Sequence, residues 1–173
     1  DVKKRQLSPK TWASSGRKGR EHNNFINSLL IDAHDCENHN IELLNTYHEI
    51  EKNEVRFEEV RTEDAEVLIT AYGTPARIAI TVAENLRAKG IKAGVFRPIT
   101  LWPFPSKRLR EIAEQESVKV ILDVEMSTGQ MLDDVNLAVA ERKPVRFYGR
   151  YGGVIPSVSE LEAAAEKALG EVK

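Results

Sequence analysis

The chain has 173 residues, 41% hydrophobic, 30% charged and 6% aromatic, enough apolar material for one globular domain of ordinary size with an appended arm. Mean hydropathy is -0.41, and no apolar run approaches the roughly 20 residues of a membrane span, which excludes a transmembrane role and reads as a soluble protein. A single cysteine, Cys36, excludes an intrachain disulfide and any all-cysteine zinc or iron-sulfur site built by this chain alone, and fits a reducing cytoplasm. The net charge of -2 conceals an asymmetry: residues 1–20 hold seven Lys or Arg against one Asp, so the arm is basic and the body acidic. The first methionine is Met126 and no charged-then-apolar leader is present, so Asp1 reads as an internal start within a longer polypeptide.

Residues 1–36 show neither helical nor strand periodicity and read as a linker or a strap laid over another surface, with Trp12 and Phe25 as its anchors. From Glu37 to Asn53, Ile41, Leu44 and Tyr47 fall at helical spacing, with Leu43 and Ile50 offset, which predicts one amphipathic helix. Residues 1–53 are thus an extended basic arm plus a helix, and 54–173 the body. Residues 55–60 alternate like an edge strand, whereas 66–72 are nearly all apolar, as in a strand covered on both faces. Gly73 breaks that strand, Thr74 is positioned to cap a helix and Pro75 to take its first position, with Ile78, Val82, Leu86, Ala79 and Ala83 as the apolar stripe and Gly90 as the end.

The cycle then repeats: a strand over 91–98, a loop rich in proline and aromatics over 99–105, and a short helix using Leu109, Ile112 and Ala113. A strand over 118–126, a helix over 129–141, a strand over 144–149 and a last helix follow. Ser157 and Glu160 open that helix in capping-box spacing, and Leu161, Ala165 and Ala168 are its buried stripe. Alternation of this kind predicts a three-layer α/β/α fold on a mostly parallel sheet, because parallel neighbours need crossovers.

Ligands in such sheets sit at the carboxyl ends of strands. There, Gly73, Thr74 and Arg77 place backbone N–H groups, a hydroxyl and a guanidinium at a helix start suited to an anion, or else are ordinary strand-to-helix punctuation. No Gly-rich dinucleotide or Walker pattern occurs. Arg150 with Gly152 is a second anion candidate, or a tight glycine turn. Glu125 with Ser127 forms a polar loop in which an acid could act as a base, yet all four histidines, His22, His34, His39 and His48, precede residue 50. No Ser-His-Asp set can be assembled from the sheet loops, and no catalytic residue is assigned. Asp32, His34, Asp35, Cys36 and His39 are metal-ligand types at no established zinc spacing, so no metal site is assigned. Arg17, Lys18 and Arg20 form a basic loop without interleaved aromatics on an acidic chain, which points to an acidic protein neighbour rather than nucleic acid. Leu101, Trp102 and Phe104, stiffened by prolines, fit a packed interface better than open water.

The runs Ala71-Tyr72-Gly73-Thr74-Pro75-Ala76-Arg77, Phe96 to Pro105, and Val124-Glu125-Met126-Ser127-Thr128-Gly129-Gln130-Met131 resemble the C-terminal domain of the alpha subunit of 2-oxoacid:ferredoxin oxidoreductases, with the ketoisovalerate type as the nearest match. The basic loop Gly16 to Arg20 and the following Asn27-Ser28-Leu29 look like the arm joining this domain to the preceding one. The resemblance implies a transketolase C-terminal-like fold, a five-stranded mixed sheet with its first strand antiparallel. It implies a complex that decarboxylates a 2-oxoacid on thiamine diphosphate with Mg, passes electrons through iron-sulfur clusters to ferredoxin, and transfers the acyl group to coenzyme A. In that family the cofactors lie in other domains and subunits, so the expectation for this chain is a scaffold without cofactor. Its expected partners are the N-terminal pyrimidine-binding domain of the same subunit and the other subunits. The alternative is a regulatory module that holds an anion, such as a phosphate of coenzyme A, on Gly73, Thr74 and Arg77.

Overall fold

The computed structural model describes residues 3–17 and 19–172, so Lys18 of the basic loop lies outside the described residues. The chain divides into two compact units, Asp1–Asn45 and Thr46–Lys173.

In the first unit, the described residues before 32 form no helix or strand. The segment from Thr11 to Asn24 is nevertheless organised. The Arg20 guanidinium donates to the carbonyls of Thr11 at 3.0 Å, Ala13 at 3.3 Å and Arg17 at 3.2 Å, and also to that of Gly16. The Asn24 amide adds a bond to the Ala13 carbonyl at 3.1 Å. Helix α1, Ala33–Asn53, then begins four residues before the expected start. The cause is Asp32, whose Oδ1 accepts from the N–H groups of His34 at 2.9 Å and Asp35 at 3.0 Å. It acts as a cap rather than a metal ligand, satisfying donors a helix start leaves free.

The second unit carries strands β1, Phe57–Val60; β2, Val67–Ala71; β3, Ala93–Pro98; β4, Val120–Glu125; and β5, Val145–Gly149. They form one sheet in the order β1-β3-β2-β4-β5, with β1 antiparallel to β3 and all other pairs parallel. Helices α2, Gly73–Ala88; α3, Ser106–Ala113; α4, Gln130–Val139; and α5, Val158–Gly170 complete the three layers. The expected mixed sheet, its antiparallel edge strand and its fully covered second strand are all present.

Strand alternation divides the core into two layers. Val67, Ile69, Ala71, Val120, Leu122 and Val124 face α2 and α5, meeting Val82, Leu86, Leu161 and Ala165. Leu68 and Ile121 face the other way, meeting Leu109 and Ile112 of α3 and Met131 and Val135 of α4. The corner between β1 and β2 passes over Gly94, where an added Cβ would stand 2.5 Å from the Arg61 carbonyl oxygen. Arg87 of α2 pins this corner through Asp64 at 2.6 Å and the Arg61 carbonyl at 2.9 Å.

One helix start and one helix end of this unit differ from expectation. Tyr72, not Thr74, is the N-cap of α2 and makes no side-chain cap bond, so Thr74 and Pro75 lie within the helix. The α4 helix stops at Val139, because Ala140 and Glu141 adopt left-handed backbone. The Ser157–Glu160 capping box of α5 forms as expected. Among the described residues no helix is long and apolar enough to cross a membrane.

Candidate functional site

The order of the strands marks the place to look. From β2 the chain leaves through α2 on one face of the sheet, and from the adjacent β4 it leaves through α4 on the opposite face. Adjacent parallel strands whose connections depart to opposite faces open a crevice at their carboxyl ends. At that end Tyr72 and Gly73 follow β2 and Ser127 follows β4, with the Tyr72 and Ser127 hydroxyls 3.4 Å apart.

Beneath the crevice lies a buried polar cluster. Asp123, Glu125 and Thr70 are all fully buried. Glu125 accepts hydrogen bonds from the Ser127 hydroxyl and from the backbone N–H groups of Met131 at 3.2 Å and Leu132 at 3.0 Å. Its carboxylate therefore caps α4, a favourable place for negative charge. Burial alone would raise its pKa, but the bonds from Ser127, Asp123, Met131 and Leu132 together outweigh it and hold the group below the usual carboxylate range. Asp123 has the opposite fate: burial first, then the neighbouring Glu125 carboxyl, push it up to about 8. Glu125 was readable as a polar loop residue. Asp123 and Thr70 were missed, although an Asp inside the apolar strand VILDVE is itself a signal.

The anion candidates fall into two places. Gly73, Thr74 and Arg77 are exposed at the start of α2, after β2. Arg150 and Gly152 follow β5, with β4 between the two strands, so about 10 Å separates the strand ends. Arg150 already faces Glu160 at 3.4 Å.

The interface candidates separate as well. Leu101 and Trp102 are exposed, whereas Phe104 packs against the Leu68 and Phe96 layer. Trp102, joined to Pro103 by a cis peptide bond, meets the Tyr47 ring edge-on at 5.6 Å between centroids. Ile99, beside them, is exposed, and so are Tyr151, Val154 and Ile155 in the loop after β5. These side chains make the carboxyl end of the sheet an apolar rim. In the arm, Arg17 is exposed and bonds the Glu21 carbonyl at 2.6 Å, while Arg20 is spent on its own loop.

Residues 65–161 match the family model for pyruvate:ferredoxin oxidoreductase core domain II. The chain belongs to that family. The ketoisovalerate oxidoreductase subunit VorB of Methanothermobacter marburgensis is 38% identical over 161 residues, 93% of this chain and 45% of the relative. The pyruvate synthase subunit PorA of Pyrococcus furiosus is 30% identical over 128 residues, 68% of this chain and 32% of the relative. The chain thus spans under half the length of either. A 2-oxoglutarate:ferredoxin oxidoreductase from Magnetococcus marinus, solved with 2-oxoglutarate, coenzyme A and succinyl-CoA bound, shares the fold at a TM-score of 0.69 and 18% identity, over 91% of this chain and 28% of that one. A split-gene transketolase shares it at 0.57 and 24% identity, over 68% of this chain and 42% of that one. The resemblance drawn from the three sequence runs is borne out at the level of family and fold.

Proposed function

We propose that this chain is the structural, subunit-interface domain of the alpha subunit of a 2-oxoacid:ferredoxin oxidoreductase of the ketoisovalerate type, with 1–53 as its arm and helix and 54–173 as its body. In the complete cytoplasmic complex, a 2-oxoacid and coenzyme A become an acyl-CoA and carbon dioxide, and the two electrons released pass to ferredoxin. The observation that carries this reading is the set of exposed apolar side chains after β3 and β5, Ile99, Leu101, Trp102, Tyr151, Val154 and Ile155, which outnumber the other exposed large apolar side chains of the body, Val55, Phe57 and Leu137. Exposed apolar side chains gathered at one end of a sheet favour a contact with another protein. A rigid five-stranded sheet behind it holds the contact in place, and precise placement matters because small displacements of reacting groups slow a reaction severely.

Thiamine diphosphate, Mg and iron-sulfur clusters belong to the whole complex in this reading. This chain's residues do not fit them: Cys36 is its one cysteine, and among the described residues no three His, Cys, Asp or Glu side chains are grouped to hold a metal ion. The chain contributes position, not chemistry. The test is reconstitution with the pyrimidine-binding domain and the remaining subunits: Trp102→Ala should weaken assembly in size-exclusion chromatography while the free chain keeps its fold. An unchanged assembly profile, or decarboxylation by the isolated chain with added thiamine diphosphate, refutes the reading.

One observation favours a second reading. The α2 N-terminus has no side-chain cap, so its N–H groups, with Thr74 and Arg77, remain open to an anion such as a coenzyme A phosphate. A thermal-shift titration with phosphate ligands decides it, because a ligand bound only by the native form raises Tm.

A further inference from the structure

The crevice between β2 and β4 holds a pair of groups that a passive contact surface does not require. Asp123 and Glu125 stand two residues apart on β4, share one face, and are fully buried. Thr70, register partner of Asp123 on β2, donates its hydroxyl to Asp123 Oδ1 at 3.0 Å. Asp123 Oδ2 is buried with no donor. Its acidic neighbour Glu125 can supply none while ionised, and it is held ionised by Ser127 and two amides of α4.

Among the described residues no cation pairs with either carboxyl. From β2 the facing polar groups are Thr70 and the Tyr72 hydroxyl, and from the loop Ser127. From α4 they are the Met131 and Leu132 amides and the Asp134 carboxyl, which burial and then the charges of Asp133 and Glu125 push upward. From β5, Phe147 and Gly149 stand opposite the pair in register. Arg110 of α3 bonds the Ala138 carbonyl at 3.0 Å, and Arg150 faces Glu160. Two buried carboxylates without a cation cannot both be ionised at neutral pH.

We propose that Asp123 and Glu125 share one proton, carried on Asp123 Oδ2 and donated to the Glu125 carboxylate, and that this proton locks residues 126–129 and the start of α4 in the arrangement that presents the crevice to a partner. When the proton leaves, like charges meet in the interior, Glu125 loses its hold on Met131 and Leu132, and the surface disorders. The consequence for assembly rests on the interface reading, whereas the proton site stands on the geometry of β2, β4 and α4. The native value of about 8 for Asp123 sets where the lock opens.

The experiment uses the intact chain, free and with its partner subunits, from about pH 6 to pH 10. Carboxyl carbon NMR of the free chain should show Asp123 Cγ titrating near pH 8, with Glu125 Cδ and the amides of Met131 and Leu132 responding over the same range. No titration of either carboxyl between about pH 6 and pH 10, as for ordinary carboxylates ionised throughout that range, overturns the shared proton. For wild type, the dissociation constant of the complex should rise about tenfold per pH unit above the Asp123 value, since only the protonated form binds. Asp123→Asn, whose amide replaces the O–H donor permanently, should remove that dependence, and an unchanged dependence in the variant overturns the lock. If no association occurs at any pH, the interface reading fails while the NMR titration still decides the proton. If Asp123→Asn does not fold, the wild-type titration decides it alone.

Discussion

In residues 46–173 the side chains of Leu68, Ile69, Leu86 and Ile121 are fully covered, whereas in residues 1–45 Phe25 and Ile31 stand 86% and 87% exposed. Both regions carry large apolar side chains and put them to opposite uses. The body completes its own core, so its stability is a property of the free chain. The arm is organised by carbonyls gathered around Arg20, and its large apolar side chains stand exposed within it, where burial against a further surface would be favourable. Stability and assembly are therefore separable by mutation.

The largest expected effect breaks the body alone. Leu86→Ala should cost about 3 kcal/mol in urea unfolding, as buried Leu-to-Ala changes do, while Phe25→Ala should change stability by less than about 0.5 kcal/mol and act on assembly instead. Equal losses from both would erase the distinction. Gly94→Ala should cost about 2 kcal/mol, because its Cβ would meet the Arg61 carbonyl oxygen at 2.5 Å and the Ala65 Cβ at 3.0 Å.

The pH dependence of stability sharpens the comparison next, since the group responsible lies entirely in the body. Asp123 has a native pKa near 8 against a usual 3.8, so between those values the native chain binds a proton that the unfolded chain lacks. Stability contributed by that proton is full in acid and falls as pH rises toward 8, after which the native chain releases it too. Glu125 acts oppositely: its depressed native value adds stability above its unfolded pKa that is lost as pH falls through the native one. Asp123→Asn should therefore gain about 1–2 kcal/mol relative to wild type between about pH 6 and pH 8, measured as unfolding free energy against pH.

Smaller effects test single joints. Ser157→Ala should cost about 1 kcal/mol by removing the α5 cap, and Trp102→Ala about 1 kcal/mol or less, the worth of its edge-on contact with Tyr47. A much larger loss for Trp102→Ala in the free chain would make that residue part of the core rather than of the rim.

Much of this architecture is legible in the residues. VLITA announces a strand covered on both faces because it offers neither face to water, and Ser157 with Glu160 announces a helix start because their spacing satisfies two free N–H groups reciprocally. The start of α1 is not, because Asp32 among histidines and a cysteine reads equally as a ligand until its carboxylate is seen bonding backbone amides. Nor is the division of labour in the 99–105 loop, where only packing separates the inward Phe104 from the outward Trp102. Arg20 reads as a charge offered to a partner, while in the folded arm its donors are used by nearby carbonyls. The polar cluster is half legible: Glu125 sits where a strand turns into a loop, but the meaning of Asp123 depends on Thr70, which is 53 residues away in the chain.

Because β1 runs against β3, its first residue, Phe57, lies across from Pro98 at the carboxyl end of β3. The polypeptide thus enters the body at the same end that carries Ile99, Leu101 and Trp102. Any neighbour gripped by the preceding segment is held beside that end, because the link into β1 is fixed there by Arg56, whose carbonyl accepts from Ile99 and Thr100, and linked contacts reinforce each other. Even a small, weak patch then suffices for docking, and cleaving the backbone just before Phe57 would loosen the assembly without deleting one side-chain contact.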